Sequence, residues 1–216
     1  MEREDIAKRI DHTLLKPFAT MDQIDQLCDE AIRYGCASVC IPPCYIKRVK
    51  DKYGADLRIT TVIGFPLGYM TTEAKVAECK DALLKGADEI DMVVNVTDIK
   101  NGDMDLVKEE IRQIKEACGD HILKVILENC YLEETEIAAA ASAASDAGAD
   151  YVKTSTGFGT GGAKLDDIEI MRSNIRPDMK IKAAGGIRTR EAMESFCEAG
   201  CDRIGCSSTS ELFRED

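Results

Sequence analysis

The sequence has no apolar run approaching the length of a membrane span. Its first residues, Met1-Glu2-Arg3-Glu4-Asp5, are charged where a signal peptide needs an apolar stretch. A cytoplasmic protein is therefore expected. Positive charge is also scarce, with 28 Lys and Arg against 40 Asp and Glu and a formal charge of −12. Nucleic acid and anionic membrane are poor partners for such a surface, because both need basic clusters. Any phosphate would have to be met by a local site. Histidine is limited to His12 and His121, and the ten cysteines contain no C-x-x-C pair, so no metal is expected. Without an export signal the cysteines read as small buried hydrophobes rather than as a disulfide framework. No linker, low-complexity tract or block of like charge interrupts the 216 residues, so one domain spanning 1–216 is expected.

What the chain does have is a repeated unit. Tyr34-Gly35-Cys36-Ala37-Ser38-Val39, Lys85-Gly86-Ala87-Asp88-Glu89-Ile90, Ala147-Gly148-Ala149-Asp150-Tyr151-Val152 and Ala199-Gly200-Cys201-Asp202-Arg203-Ile204 each place a glycine fit to end a helix before a strand. Helix-period segments precede them, at 24–34, 73–85, 134–147 and 190–199. Strand candidates fall near 11–14, 38–41, 58–65, 89–95, 122–128, 151–155, 180–184 and 203–207. Eight short strands alternating with helices in a chain of this length predict an α/β fold, a single-domain parallel (β/α)8 TIM barrel. In such a barrel the chemistry sits at the C-terminal ends of the strands and in the loops that follow.

That rule gives meaning to lysines set inside apolar strands. Tyr151-Val152-Lys153-Thr154-Ser155-Thr156-Gly157 buries an ammonium in a β-branched run that ends in hydroxyls and a glycine. Met179-Lys180-Ile181-Lys182-Ala183-Ala184-Gly185-Gly186 repeats the design. A desolvated lysine tends to lose its proton, and the neutral amine attacks carbonyl carbon to form a Schiff base. A free lysine is neutral at pH 7 in only about one molecule in a few thousand; a cationic neighbour with desolvation lowers its pKa by roughly 3 units. Lys182 is placed to be that neighbour, Asp91 to balance the cluster and relay protons, and Lys124 to converge with them. Lys180 reads as solvated. The structural alternative is a set of buried ion pairs.

A second group of signals concerns phosphate. Gly157, Gly185, Gly186, Ser207 and Ser208 stand at the ends of strands six, seven and eight and offer backbone N–H groups and hydroxyls. Ser207 to Glu211 also reads as the start of a short final helix, whose amides would favour an anion.

Six segments in order carry a family resemblance: Ile10-Asp11-His12-Thr13-Leu14-Leu15-Lys16-Pro17, Gly64-Phe65-Pro66-Leu67-Gly68, Glu89-Ile90-Asp91-Met92-Val93-Val94-Asn95, Val152-Lys153-Thr154-Ser155-Thr156-Gly157-Phe158, Lys182-Ala183-Ala184-Gly185-Gly186-Ile187-Arg188 and Arg203-Ile204-Gly205-Cys206-Ser207-Ser208. On these the chain resembles the deoxyribose-phosphate aldolases over nearly its whole length. The resemblance implies a class I aldolase that reversibly cleaves 2-deoxy-D-ribose 5-phosphate to D-glyceraldehyde 3-phosphate and acetaldehyde, without cofactor or metal. It implies Lys153 as the Schiff-base lysine, Lys182 as the residue that perturbs it and Asp91 as the proton-transfer group. Gly157, Gly185, Gly186, Ser207 and Ser208 match phosphate-binding positions, Lys124 a supporting one, and Asp11 and Thr13 substrate-proximal ones. The expected partners are phosphosugar and aldehyde substrates and further copies of the chain, as a dimer or tetramer. Lys164, Cys206 and Asn129 depart from the family pattern, and the run Glu211 to Asp216 lacks the tyrosine of some longer members' tails. The rival readings are another lysine-imine aldolase or transaldolase-like enzyme, and a barrel that only binds a sugar phosphate.

Overall fold

The computed structural model describes residues 1–213; residues 214–216, which end the expected domain and the tail run, lie outside the described residues. After a short helix α1 (Arg3–Ala7), strands and helices alternate: β1 (Ile10–Thr13), α2 (Met21–Tyr34), β2 (Ser38–Ile41), α3 (Ile46–Tyr53), β3 (Ile59–Ile63), α4 (Thr72–Leu84), β4 (Glu89–Val93) and α5 (Val96–Asn101). The series continues with α6 (Met104–Cys118), β5 (Ile122–Ile126), α7 (Glu134–Asp146), β6 (Tyr151–Lys153), α8 (Leu165–Ser173), β7 (Lys180–Ala184), α9 (Arg190–Glu198) and β8 (Arg203–Cys206). All eight strands are parallel and neighbours pair in chain order, with β8 returning to β1 to close the barrel.

The repeated unit works as a joint. In each copy the glycine has positive φ, from 68° at Gly35 to 105° at Gly86, and the next residue's N–H donates to the carbonyl five residues back. These bonds run from Cys36 to Ala31, Ala87 to Ala82, Ala149 to Ala144 and Cys201 to Phe196. They stop the helix and turn the chain toward the sheet. In three copies the following aspartate finishes the joint: the carboxylates of Asp88, Asp150 and Asp202 accept from the N–H of Ile59, Leu123 and Ile181, each on the preceding strand. Lys50, Lys115 and Arg172 neutralise them from the helix layer. The first copy has Ala37 at that position and lacks the device.

Strand alternation divides the buried residues into two sets. Ile10, Val39, Ile59, Ile90, Val125 and Ile181 face the helices and belong to the apolar core. Burying each contributes roughly 1.5–3 kcal/mol. The other parity faces the lumen, and it is polar: Asp11, Ser38, Thr60, Glu89, Asp91, Lys124, Lys153, Lys182 and Arg203 are all buried there. Several strands are shorter than their apolar runs predict. The run at 122–128 ends as strand at Ile126, and Glu128 takes φ 58°; the run at 58–65 ends before Gly64, also at φ 58°. The chain leaves extended geometry there to build the upper loops. The expected final helix is a five-residue 3-10 turn, Thr209–Phe213, too short for an appreciable helix dipole.

Candidate active site

A cavity of about 340 Å³ opens at the C-terminal end of the barrel. Its wall comes from the loops after β1, β6, β7 and β8 and includes Thr13, Gly157, Gly185, Gly186 and Ser207, with Lys153 at the floor. Lys153 is 3% exposed and lines the cavity. Ser208 is not on the wall; its N–H donates to the Cys206 sulfur at 3.2 Å. Asp11 and Lys124, expected beside a substrate, lie beneath the cavity and are fully buried, as are Asp91 and Lys182.

The buried groups form one network across the lumen. Asp91 Oδ2 accepts from both Lys153 Nζ and Lys182 Nζ at 2.7 Å, while its Oδ1 accepts from Lys124 Nζ at 2.8 Å. Lys182 also donates to Asp11. Lys124 lies 2.6 Å from Glu89, and Arg203 reaches Asp11 at 2.5 Å and Glu89 at 3.0 Å. Several of these pairs join strands that are not neighbours, such as β7 with β4 and β8 with β4. Only a closed lumen brings them together.

The network sorts the lysines. Burial would lower the proton affinity of Lys182, but the carboxylates of Asp11 and Asp91 raise it, so Lys182 stays cationic. Lys124 is held cationic in the same way by Asp91 and Asp11. Lys153 alone moves the other way: burial lowers its pKa, Asp91 opposes this, and the charge of Lys182 reinforces it. The leading cause is desolvation, with the cationic neighbour secondary. Burial would raise the carboxyl pKa of Asp91, yet Lys124, Lys153 and Lys182 hold it well below the usual range. Asp11 and Glu89 are likewise depressed by their cations. Chemically, the arrangement offers a carbonyl compound one amine biased toward its uncharged form among groups that keep their charges.

The depressed carboxyls make stability depend on acid. A carboxyl whose folded pKa lies below its unfolded value stabilises fully above the unfolded pKa, about 4, and loses that contribution as pH falls further. The thermal midpoint is therefore expected to drop steeply below about pH 4. Calorimetry across pH 6 to 2 checks this, and a midpoint indifferent to pH over that range would contradict the network.

Several residues escape a reading of the sequence. Lys16 and Arg188 are exposed cations on the cavity wall; the available signal is their position just beyond strand ends in a strongly acidic chain. Glu128 is buried at positive φ, and its carboxylate accepts from both the backbone N–H and the hydroxyl of Thr156. The Thr156 hydroxyl in turn accepts from Phe158 N–H at 3.0 Å, which fixes the turn containing Gly157. Lys75, fully buried, donates to Glu110 at 2.7 Å and to the Val93 carbonyl at 2.9 Å, pinning the end of β4. Both nitrogens of His12 are engaged, with Glu30 at 3.0 Å and Thr209 at 2.8 Å.

Comparison with known proteins agrees with this geometry. Residues 6–205 match the model of the DeoC/LacD family aldolases. The deoxyribose-phosphate aldolase of Clostridium botulinum (strain Alaska E43 / Type E3) is 55% identical over 214 residues, covering 99% of this chain and 97% of that one. That of Clostridioides difficile (strain 630) is 50% identical over 211 residues, covering 98% and 96%. The solved tetrameric deoxyribose phosphate aldolase of Aeropyrum pernix superposes with a TM-score of 0.90 at 34% identity, over 98% of this chain and 90% of that one. With barrel, cavity and sequence in agreement over nearly its full length, the chain belongs to the DeoC/LacD family of aldolases and is an aldolase.

Proposed function

We propose that the chain, as one domain over 1–216, reversibly cleaves 2-deoxy-D-ribose 5-phosphate to D-glyceraldehyde 3-phosphate and acetaldehyde through an imine on Lys153. The observation that carries this reading is the single lumen lysine driven toward the neutral amine at the floor of a glycine-walled cavity. Neutral Lys153 adds to the aldehyde carbon of the open-chain sugar, and the carbinolamine takes up a proton on its hydroxyl and loses water to give a protonated imine. Electrons of the C2–C3 bond then move into the imine as the C3 hydroxyl loses its proton, releasing the phosphorylated aldehyde and leaving an enamine. Protonation of the enamine carbon and hydrolysis release acetaldehyde and restore the amine.

The surroundings favour that electron flow. Lys124, Lys182 and Arg203 already balance the lumen carboxylates, so the cationic imine is less well accommodated than the neutral enamine it becomes. Asp91, 2.7 Å from Lys153 Nζ, is placed to shuttle protons with a water molecule. Its low proton affinity means that it holds a proton only transiently. Lys182 and Lys124 act by charge, and Asp11 and Thr13 support the floor and wall. Gly157, Gly185, Gly186 and Ser207 form the phosphate end, aided by Lys16 and Arg188, whereas Ser208, off the cavity wall, holds the loop through Cys206. Binding there fixes the sugar's reach to Lys153 and converts remote affinity into orientation.

An assay of acetaldehyde release tests the proposal. Activity toward the phosphorylated sugar is expected to survive exhaustive EDTA dialysis, because the imine does the work a metal does in metal-dependent aldolases. Ser207→Asp is expected to raise KM for the phosphorylated sugar about 100-fold, with a far smaller loss toward unphosphorylated deoxyribose. Equal losses on both substrates would mean that Ser207 serves only the loop. Loss of activity on chelation with recovery on adding zinc would overturn the imine reading. Among the described residues no helix is long and apolar enough to cross a membrane. We place the enzyme in the cytoplasm as a homo-oligomer, dimer or tetramer, in keeping with the tetrameric Aeropyrum pernix relative.

A further inference from the structure

Arg203 and Glu89 stand at the first residues of β8 and β4, at the opposite end of the lumen from the cavity. Neither touches Lys153 in the network, yet they close its charge balance. Among the described residues the lumen holds three carboxylates, Asp11 on β1 and Glu89 and Asp91 on β4, against three cations, Lys124 on β5, Lys182 on β7 and Arg203 on β8. Lys153 on β6 is the remaining basic group, and a protonated Lys153 would be a fourth cation facing three anions. The other groups facing the cluster leave that count unchanged. On β2, burial keeps the Cys40 thiol protonated, and β3 contributes the hydroxyl of Thr60, which does not titrate in this range. Tyr151 on β6 lies 5.7 Å from the Arg203 guanidinium. Arg58, just before β3, and Lys180, at the start of β7, stand at the lower mouth of the lumen; Arg58 is 3.5 Å from Glu89 and Lys180 5.7 Å from the Tyr151 ring, and both are exposed, so water screens their charges.

We propose that Arg203 and Glu89 are positioning residues that bias Lys153 toward the uncharged amine by completing the charge count of the closed lumen. Arg203 binds the two carboxylates that Lys124 and Lys182 also use, Glu89 and Asp11. With Arg203 in place those carboxylates do not need a proton on Lys153. Without it the lumen is one cation short, and Lys153 is the one basic group near enough to neutrality to supply it. Removing Glu89 does the reverse, leaving a surplus cation and a Lys153 that gives up its proton more readily. The guanidinium suits the task, since it stays charged at every working pH and grips two carboxylates at once.

This inference rests on the lysine-imine reading, and the experiment separates the two. Labelling of Lys153 by acetaldehyde and cyanoborohydride is followed against pH by peptide mass, in the wild type and in Glu89→Gln, Arg203→Gln and the double variant. The half-maximal pH of labelling is expected to rise by about one unit in Arg203→Gln and fall by about one in Glu89→Gln, the order set by a unit charge acting across a lumen of intermediate dielectric. It should return to the wild-type value in the double variant, whose charge count is restored. Should Arg203→Gln fail to fold, the downward shift in the isosteric Glu89→Gln carries the test alone. Shifts of the same sign in both single variants, or no shift in Glu89→Gln, would overturn the proposal. Failure of the wild type to label Lys153 would instead overturn the imine itself.

Discussion

Lys153→Met is expected to lower carbon–carbon cleavage by about four orders of magnitude or more, because among the described residues Lys153 is the one lumen lysine whose proton affinity is lowered. The same substitution should leave the fold as stable as before, or more so. A lysine whose folded pKa is depressed below its unfolded value near 10.4 weakens the native state at neutral pH, because unfolding lets it take up a proton. Methionine keeps the buried stem and removes that penalty, while Asp91 retains Lys124 and Lys182. Steady-state assay beside a thermal melt checks both halves. An inactive variant whose midpoint collapses would mean that Lys153 is a structural ion-pair partner.

Lys182→Met should behave differently. Here the folded pKa is raised, so the residue's stabilisation is fully present below about pH 10 and is lost only as pH rises through the folded value. Removing it leaves Asp11 and Asp91 short of a buried partner, with an expected loss of about 3–5 kcal/mol at neutral pH. Without that cation Lys153 also keeps its proton to higher pH, so activity near neutrality should fall about 10- to 100-fold and recover in part at alkaline pH. A pH–rate profile settles the matter. An unchanged profile in a folded variant would show that Lys182 does not govern the charge of Lys153.

The contrast between these two lysines marks how far the sequence can be read. Both stand inside apolar strands, which is legible because an ammonium in such a run needs a reason. Their opposite charge states depend on distances across the lumen: both reach one oxygen of Asp91, but Lys182 also holds Asp11. The strands and the glycine joints are legible from local pattern, since each unit repeats the same helix stop. Glu89 and Arg203 are not, because a charged residue opening a strand ordinarily reaches solvent, and closure of the barrel is what sets them face to face. Glu128 leaves no mark either, since nothing local distinguishes a glutamate that adopts positive φ. The expected helix after β8 shortens to a 3-10 turn, and its Thr209 hydroxyl bonds to His12 instead of facing an anion. The proposed phosphate end therefore rests on loop amides, on Ser207 and on the exposed cations Lys16 and Arg188.

The central claim is that Lys153 carries the reacting carbonyl as an imine. Incubation with acetaldehyde and borohydride, followed by proteolysis and mass spectrometry, tests it most directly. A single ethyl group on the peptide containing Lys153, formed at a rate that rises with pH to a plateau below the usual lysine range, is the predicted result. Labelling confined to Lys182, or no adduct at all in enzyme that still cleaves substrate, would contradict it.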